Sequence, residues 1–108
     1  GGLPLPLGGN VVRKDLGNAV CEKITEWVRL SIAKSIAEPE AALQFAKKWG
    51  RGIDDVTNRK FVQMYVNDRT IDYHEEGRES VRRFLREGQH CGLIKSSFDV
   101  DGMVFIGA

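Results

Sequence analysis

The feature that most constrains the fold is a helical repeat of apolar residues that follows Gly17. Apolar and small side chains recur at spacings of three and four residues, which places them on one face of a helix. These positions are Val20, Ile24, Trp27, Val28, Ser31, Ile32, Ser35 and Ile36. Asn18 is of a residue type that caps helix N-termini. The pattern predicts a long first helix that must pack this face against another element.

A second helix is predicted directly after the first. Glu38-Pro39-Glu40 ends one helix and begins the next, because proline is tolerated in a first helical turn and acidic residues there complement the helix dipole. Gly50 ends this helix, and Gly50-Arg51-Gly52 forms a loop. The side chains expected to face inward are Ala42, Phe45, Ala46 and Trp49.

Two more helices complete the helical part, which spans residues 17–92. Asp54 or Asp55 caps the third helix, and residues 67–72 form a short connection to the fourth. The fourth ends before Gly92, which suits a C-terminal helix cap. Gly77 and Gly88 lie on its apolar stripe, which predicts close packing.

The two ends of the chain have strand-like patterns. In residues 1–16, leucines alternate with prolines from Leu3 to Leu7 and Gly8-Gly9 follows, which predicts an extended crossing strand or hinge. In residues 93–108, Asp101-Gly102 lies within alternating residues and predicts a terminal strand or hairpin. We therefore expect one mostly α unit over residues 1–108, with four helices, an N-terminal extended strand and a possible C-terminal hairpin.

Charge and length limit the classes of partner. The 108 residues hold 16 Lys and Arg against 15 Asp and Glu, a net charge of +1 that argues against a nucleic-acid-binding surface. No apolar run approaches the roughly 20 residues that span a bilayer, and no signal peptide pattern opens the chain. We expect a cytoplasmic protein that binds neither nucleic acid nor membrane. Cys21 and Cys91 lack metal or redox spacing and are predicted to be reduced core residues.

Few residues are candidates for catalysis. His74 precedes two glutamates at a helix start and His90 lies in a charged last turn, so structural roles account for both. Arg78 to Arg86 form a basic run in which Glu79 and Arg83 are spaced as an ion pair, typical of a solvated face. No metal site and no cofactor are expected. The aromatic residues at helical spacing are predicted to be core: Trp27, Phe45, Trp49, Phe61 and Phe84.

The opening motif is the exception. It combines rigid extended backbone, small residues and a side-chain amide, which suits a segment that lines a ligand cleft. The candidate substrate-binding residues are Pro6, Leu7, Gly8, Gly9 and Asn10. A plain hinge or edge strand accounts for the same pattern, so both interpretations stay open at this point.

Several spaced motifs resemble the 1,4-dihydroxy-6-naphthoate synthases of the futalosine route to menaquinone. The Gly-Leu-Pro-Leu-Pro-Leu-Gly-Gly motif of that family is similar to residues 2–9. The resemblance continues through Arg13-Lys14-Asp15-Leu16, Tyr65-Val66-Asn67, Asp72-Tyr73, Glu75-Glu76-Gly77 and Gly92-Leu93-Ile94. It covers nearly the whole chain in order.

The resemblance implies a two-lobed α/β fold like type II periplasmic binding proteins, with this chain as the C-terminal part. The family converts cyclic de-hypoxanthine futalosine to 1,4-dihydroxy-6-naphthoate by an elimination that a histidine general base begins. That histidine precedes the Leu-Pro motif and so lies upstream of this chain; neither His74 nor His90 matches it. Residues 6–10 would border the cleft, and the chain alone would be inactive.

Two other classes of protein fit the residues. One is a helical interaction module whose Leu-Pro arm docks onto a partner, because proline-rich extended segments are pre-organised for binding. The other is a non-catalytic small-molecule binding protein of the same two-lobed fold. If the chain is a part of the two-lobed protein that the resemblance implies, it exposes apolar surface without its partner segments, so we expect self-association.

Overall fold

The computed structural model describes residues 2–50 and 52–107, so Arg51 of the predicted loop and the two terminal residues lie outside the described part. Helices make up 61% of it, which confirms a mostly α chain. The elements are a 3-10 turn at Lys14–Leu16 and the helices α1 (Asn18–Ala37), α2 (Pro39–Lys47), α3 (Asp55–Tyr65), α4 (Asp68–Ile71) and α5 (His74–His90).

The start of α1 differs from the sequence prediction in its cap. Gly17, at a φ of 84°, is the residue before the helix, and Asn18 is the first helical residue rather than the cap. One turn later the Cys21 thiol donates to the Arg13 carbonyl at 3.3 Å, which ties α1 to the N-terminal segment. The other end is as predicted, because Pro39 begins α2 directly after α1 ends.

The caps of α3 and α4 are made by side chains. Asp54 caps α3, and its carboxylate accepts the Thr57 backbone N–H at 2.9 Å. The predicted connection contains the short helix α4, because Asn67 and Thr70 form a reciprocal capping box there. The Asn67 side chain accepts from the Arg69 N–H at 3.0 Å, and the Thr70 hydroxyl accepts from the Asn67 N–H at 3.1 Å.

The C-terminal segment, residues 92–107, turns back along α5. Gly92 adopts a φ of 74°, which lets the N–H groups of Leu93 and Ile94 reach the Gly88 carbonyl at 2.9 and 3.1 Å. A Cβ at Gly88 would lie 2.7 Å from Ile94 Cδ1, so the predicted close packing is confirmed there.

Further contacts follow α5 towards its N-terminus. Gln89 donates to the carbonyls of Lys95 and Phe98 at 3.1 and 2.8 Å, and Arg86 pairs with Asp101 one turn earlier. The ring of Phe105 then reaches the start of α5. The C-terminal segment is therefore antiparallel to α5 and is held by side chains rather than by a sheet.

The predictions of an N-terminal extended strand and a C-terminal hairpin are both wrong, because no strand forms in residues 2–50 and 52–107. The backbone before the 3-10 turn has no strand beside it in this chain, so its N–H and C=O groups form no ladder. At Asp101-Gly102 a turn does form: Met103 N–H donates to the Val100 carbonyl at 3.3 Å, and Gly102 N–H donates to the Asp99 carboxylate at 3.0 Å. The residues after the turn pack on α5 instead of pairing with those before it.

The core is small. Side chains of the described residues that are buried are those of Cys21 and Val100, each 4% exposed, and Ser80. The accessible surface is 8556 Å², against about 6,000 Å² for a folded monomer of 12.1 kDa. The radius of gyration is 16.1 Å, against about 13 Å for a compact domain of this length.

The aromatic residues predicted to be core are exposed, so that prediction is wrong for this chain: Trp27, Phe45, Trp49, Phe61 and Phe84. Phe45, on α2, is 63% exposed, and Trp49, in the turn that follows α2, is 77% exposed, although the sequence predicts that both face inward. Cys91 is also exposed, unlike Cys21, and both thiols are free. The helical periodicity predicts these side chains on the apolar face of each helix, but the described residues leave them uncovered.

Candidate functional site

The candidate substrate-binding motif is an irregular extended segment on the surface. Pro6 is half-buried, whereas Leu7, Gly8, Gly9 and Asn10 are exposed. Gly9 is the motif residue for which the structure records a close approach: a Cβ there would lie 2.9 Å from the Tyr73 hydroxyl oxygen. Ligand binding by residues 6–10 stays a prediction.

Tyr73 is held by two further groups. Its ring lies edge-on to Phe105, with ring centroids 6.0 Å apart and an interplanar angle of 71°. At the backbone end of the Tyr73 side chain, a Cβ at Gly77 would lie 3.0 Å from Tyr73 Cβ. Three separate parts of the chain thus meet at Tyr73: the motif, the start of α5 and the C-terminal segment. In the sequence, Tyr73 stands out only as part of the Asp72-Tyr73 motif, although an aromatic residue four positions before a glycine on a helix is a readable sign of packing.

Asp72 organises the start of α5 beside Tyr73. Its carboxylate accepts the His74 backbone N–H at 2.9 Å, and His74 Nδ1 lies 3.5 Å from the other carboxylate oxygen. The hydrogen bond from His74 lowers the pKa of Asp72, with the charges of His74, Arg78 and Arg29 acting in the same direction. His74 has a φ of 54°, a strained value for a residue other than glycine. The carboxylate makes the local turn, and the imidazole is exposed.

His90 has a setting that agrees with a structural role. It lies in the last turn of α5, with Nδ1 3.9 Å from Glu87, and is exposed. Within the described residues, the ion pairs of His74 and His90 are with Asp72 and Glu87 and not with residues 6–10.

A ladder of ion pairs follows α5. Glu75 accepts from Arg78 and Arg82 at 3.2 and 3.0 Å, and these guanidinium groups lower the pKa of Glu75. Glu79 contacts Arg82 and Arg86 at 3.4 and 3.1 Å rather than Arg83, so the predicted Glu79–Arg83 pair is wrong. The hydrogen bonds that Arg82 donates to Glu75 and Arg86 donates to Asp101 in turn raise the pKa of both arginines. Arg78, Arg82 and Arg86 are half-buried and Arg83 is exposed, so the prediction of a solvated face is not confirmed for the first three.

A depression of about 180 Å³ that is open to solvent lies between the end of α1 and the start of α2. The crevice between α2 and α3 has a volume of about 30 Å³ and is crossed by the pairs Lys47–Asp55 and Arg59–Glu40. Among the described side chains, no group of three or more His, Cys, Asp or Glu could hold a metal ion. None of the helices in residues 2–50 and 52–107 is long and apolar enough to cross a membrane. Neither of these two spaces is lined by residues 6–10.

Comparison with known proteins places this arrangement in a family. The chain is 38% identical over 96 residues to a protein of Thermus thermophilus named 1,4-dihydroxy-6-naphtoate synthase, covering 89% of this chain and 35% of that relative. It is 29% identical over 93 residues to a protein of the same name from Streptomyces coelicolor, covering 86% of this chain and 33% of that relative. The chain therefore spans about a third of the length of these curated relatives. No solved structure matches it.

The sequence profile of a family described as menaquinone biosynthesis matches residues 1–90. That match covers most of the chain and includes the opening motif, Tyr73 and all of α5. The chain belongs to the menaquinone biosynthesis family.

Proposed function

We propose that this chain is the C-terminal part of a lyase that converts cyclic de-hypoxanthine futalosine to 1,4-dihydroxy-6-naphthoate in the futalosine route to menaquinone. The observation that carries the proposal is the 38% identity to a relative of that name across 89% of the chain. The motif resemblance of residues 2–9 supports it.

The share of this chain in that reaction is substrate binding. Residues 6–10 border the substrate cleft, and the general-base histidine belongs to the part of the protein before the motif. Asp72 engages the backbone of His74 in a local turn, which agrees with a structural role for that residue. We assign no cofactor and no metal to the chain.

The second share is structural. The accessible surface of the chain is about 2,500 Å² larger than that of a compact monomer of the same mass. This excess is larger than the area that a standard protein interface buries. We propose that the rest of the complete protein, about two thirds of it by the length of the relatives, covers the apolar faces of α1, α2 and α3. Without it, the chain self-associates and is inactive. The two-lobed fold of the complete protein and a cytoplasmic location belong to the same proposal.

The test is the activity of the complete protein on cyclic de-hypoxanthine futalosine, followed by the absorbance of the released naphthoate. We expect product from the wild type and a higher KM from Asn10→Ala, because the side-chain amide is the polar group of the motif. Val11→Ala is the matched control, since Val11 is the exposed neighbour outside the motif and its loss should leave the KM unchanged.

Other outcomes separate the alternatives. Substrate binding without product under conditions where a known synthase works would identify a non-catalytic binding protein. Absence of both binding and product would contradict any small-molecule role, and an exposed Leu-Pro arm that docks onto a partner would become the better account of the motif.

A further inference from the structure

We propose that the Tyr73 hydroxyl is a substrate-binding group that donates a hydrogen bond to an acceptor oxygen of the ligand held by residues 8–10. The inference rests on the proposed function and adds to it a residue distant in sequence from the motif. It starts from one juxtaposition: the hydroxyl oxygen lies so close to Gly9 that a Cβ there would be 2.9 Å away.

The position of the hydroxyl is fixed by packing of the ring. Phe105 lies edge-on at 6.0 Å, and Gly77 has no side chain to displace the base of the tyrosine. Edge-to-face pairs and close backbone contacts both restrict a ring to one orientation. A donor that is already fixed binds a ligand without a further loss of side-chain entropy.

The hydroxyl is also free to donate. It makes no hydrogen bond to any residue of the described ranges 2–50 and 52–107, although the ring itself is half-buried. A tyrosine hydroxyl is a neutral donor near pH 7, with an ordinary pKa of about 10. Backbone beside a glycine admits a ligand closely, so an oxygen atom lying over Gly8 and Gly9 would meet this donor.

The chemistry selects the class of ligand group. An uncharged O–H donor recognises a hydroxyl, carbonyl or carboxylate oxygen. The group bound by Tyr73 is therefore an oxygen of one of these kinds that lies on the Gly9 side of the hydroxyl.

The experiment is steady-state kinetics and thermal unfolding of the complete protein with Tyr73→Phe, which removes the hydroxyl and keeps the ring against Phe105. We expect the KM for cyclic de-hypoxanthine futalosine to rise about tenfold, the size of one lost hydrogen bond to a ligand, with kcat and Tm unchanged. Tyr65→Phe is the matched control. That ring lies against Phe61 in α3 with centroids 5.0 Å apart and the planes tilted by 42°, and the KM of the variant should equal that of the wild type.

A second variant keeps the inference testable through Gly9. Gly9→Ala places a methyl group against the hydroxyl as well as against the ligand, so it should raise the KM by a larger factor in the wild type than in the Tyr73→Phe background. An active wild type with an unchanged KM in Tyr73→Phe overturns the inference alone. A wild-type protein that releases no product overturns the proposed function and this inference together.

Discussion

The α5 unit, which comprises α5 and residues 92–107, and the α2–α3 pair contrast in how their apolar residues are used. In the α5 unit, Val100 is 4% exposed and Ser80 6% exposed, and the C-terminal segment follows the helix over most of its length. The α2–α3 pair contains no buried residue, and Trp49 is 77% exposed. Salt bridges on the surface, rather than packing, join α2 to α3.

The difference shows which part of the chain completes its own packing. A helix with an apolar stripe gains most of its stability from the surface that covers the stripe. For α5 the C-terminal segment supplies part of that surface and leaves Phe84 exposed, whereas the described residues bury no residue of α2 or α3. Exposed ion pairs contribute little, so they cannot replace a missing apolar contact.

The largest expected effect is that of Trp49→Ala on the stability of the complete protein. If the rest of the protein covers α2, the substitution leaves a cavity and lowers the free energy of unfolding by about 3 kcal/mol. Urea unfolding measures it, with Lys48→Ala as the control in the same turn after α2. A cost as small as that of the control would show that α2 faces solvent in the complete protein, as it does in this chain.

The next effect is that of Val100→Ala, which tests the packing of the α5 unit. Removing two buried methyl groups should lower the free energy of unfolding by about 2 kcal/mol, because the side chain is 4% exposed. Val104→Ala is the matched control in the same segment, where the side chain is 69% exposed. Equal costs for the two valines would contradict a core between α5 and the C-terminal segment.

A smaller effect is expected from Gly88→Ala in α5. The new methyl group would lie 2.7 Å from Ile94 Cδ1, and the overpacking outweighs the gain in helix propensity by about 1 kcal/mol. Ile94→Val removes the obstructing methyl group, so the double variant should be more stable than the sum of the single effects. Additive free energies of unfolding would show that Gly88 and Ile94 do not touch.

The smallest effect concerns the pH dependence of stability at the start of α5. The pKa of Asp72 is lowered from 3.8 by the hydrogen bond from His74, so its carboxylate stabilises the fold above about pH 5 and loses that contribution as the pH falls below 3.8. Asp72→Asn keeps an acceptor for the His74 N–H but has no charge, and its Tm should fall less steeply between pH 5 and pH 3. A dependence of Tm on pH parallel to that of the wild type would show that the Asp72 carboxylate does not stabilise the fold.

The helices were predictable from sequence because their signals are local. Periodicity gave α1, Pro39 gave the start of α2, and Asp54 gave the cap of α3. The short helix α4 was missed, because the reciprocal hydrogen bonds of Asn67 and Thr70 were not considered as a helix start.

The errors have one physical origin. Apolar alternation at both ends predicts strands only where a neighbouring strand is available, and the described chain has none. The apolar face of α2 predicts burial only where a second surface exists, and Phe45 shows that none does here. At the candidate site, the motif was identified from residues 6–10, whereas Tyr73 became visible only when the fold brought its hydroxyl to Gly9.

The most direct test of the central claim is amide hydrogen exchange of α2 and α3, measured in the isolated 108-residue chain at low concentration and in the complete protein. The account predicts that these amides exchange at least about 100-fold more slowly in the complete protein, because burial raises the free energy of local opening. Amides in α5 should change less, since residues 92–107 already cover that helix. Equal exchange rates for α2 and α3 in the two proteins would contradict the claim that the rest of the protein covers them.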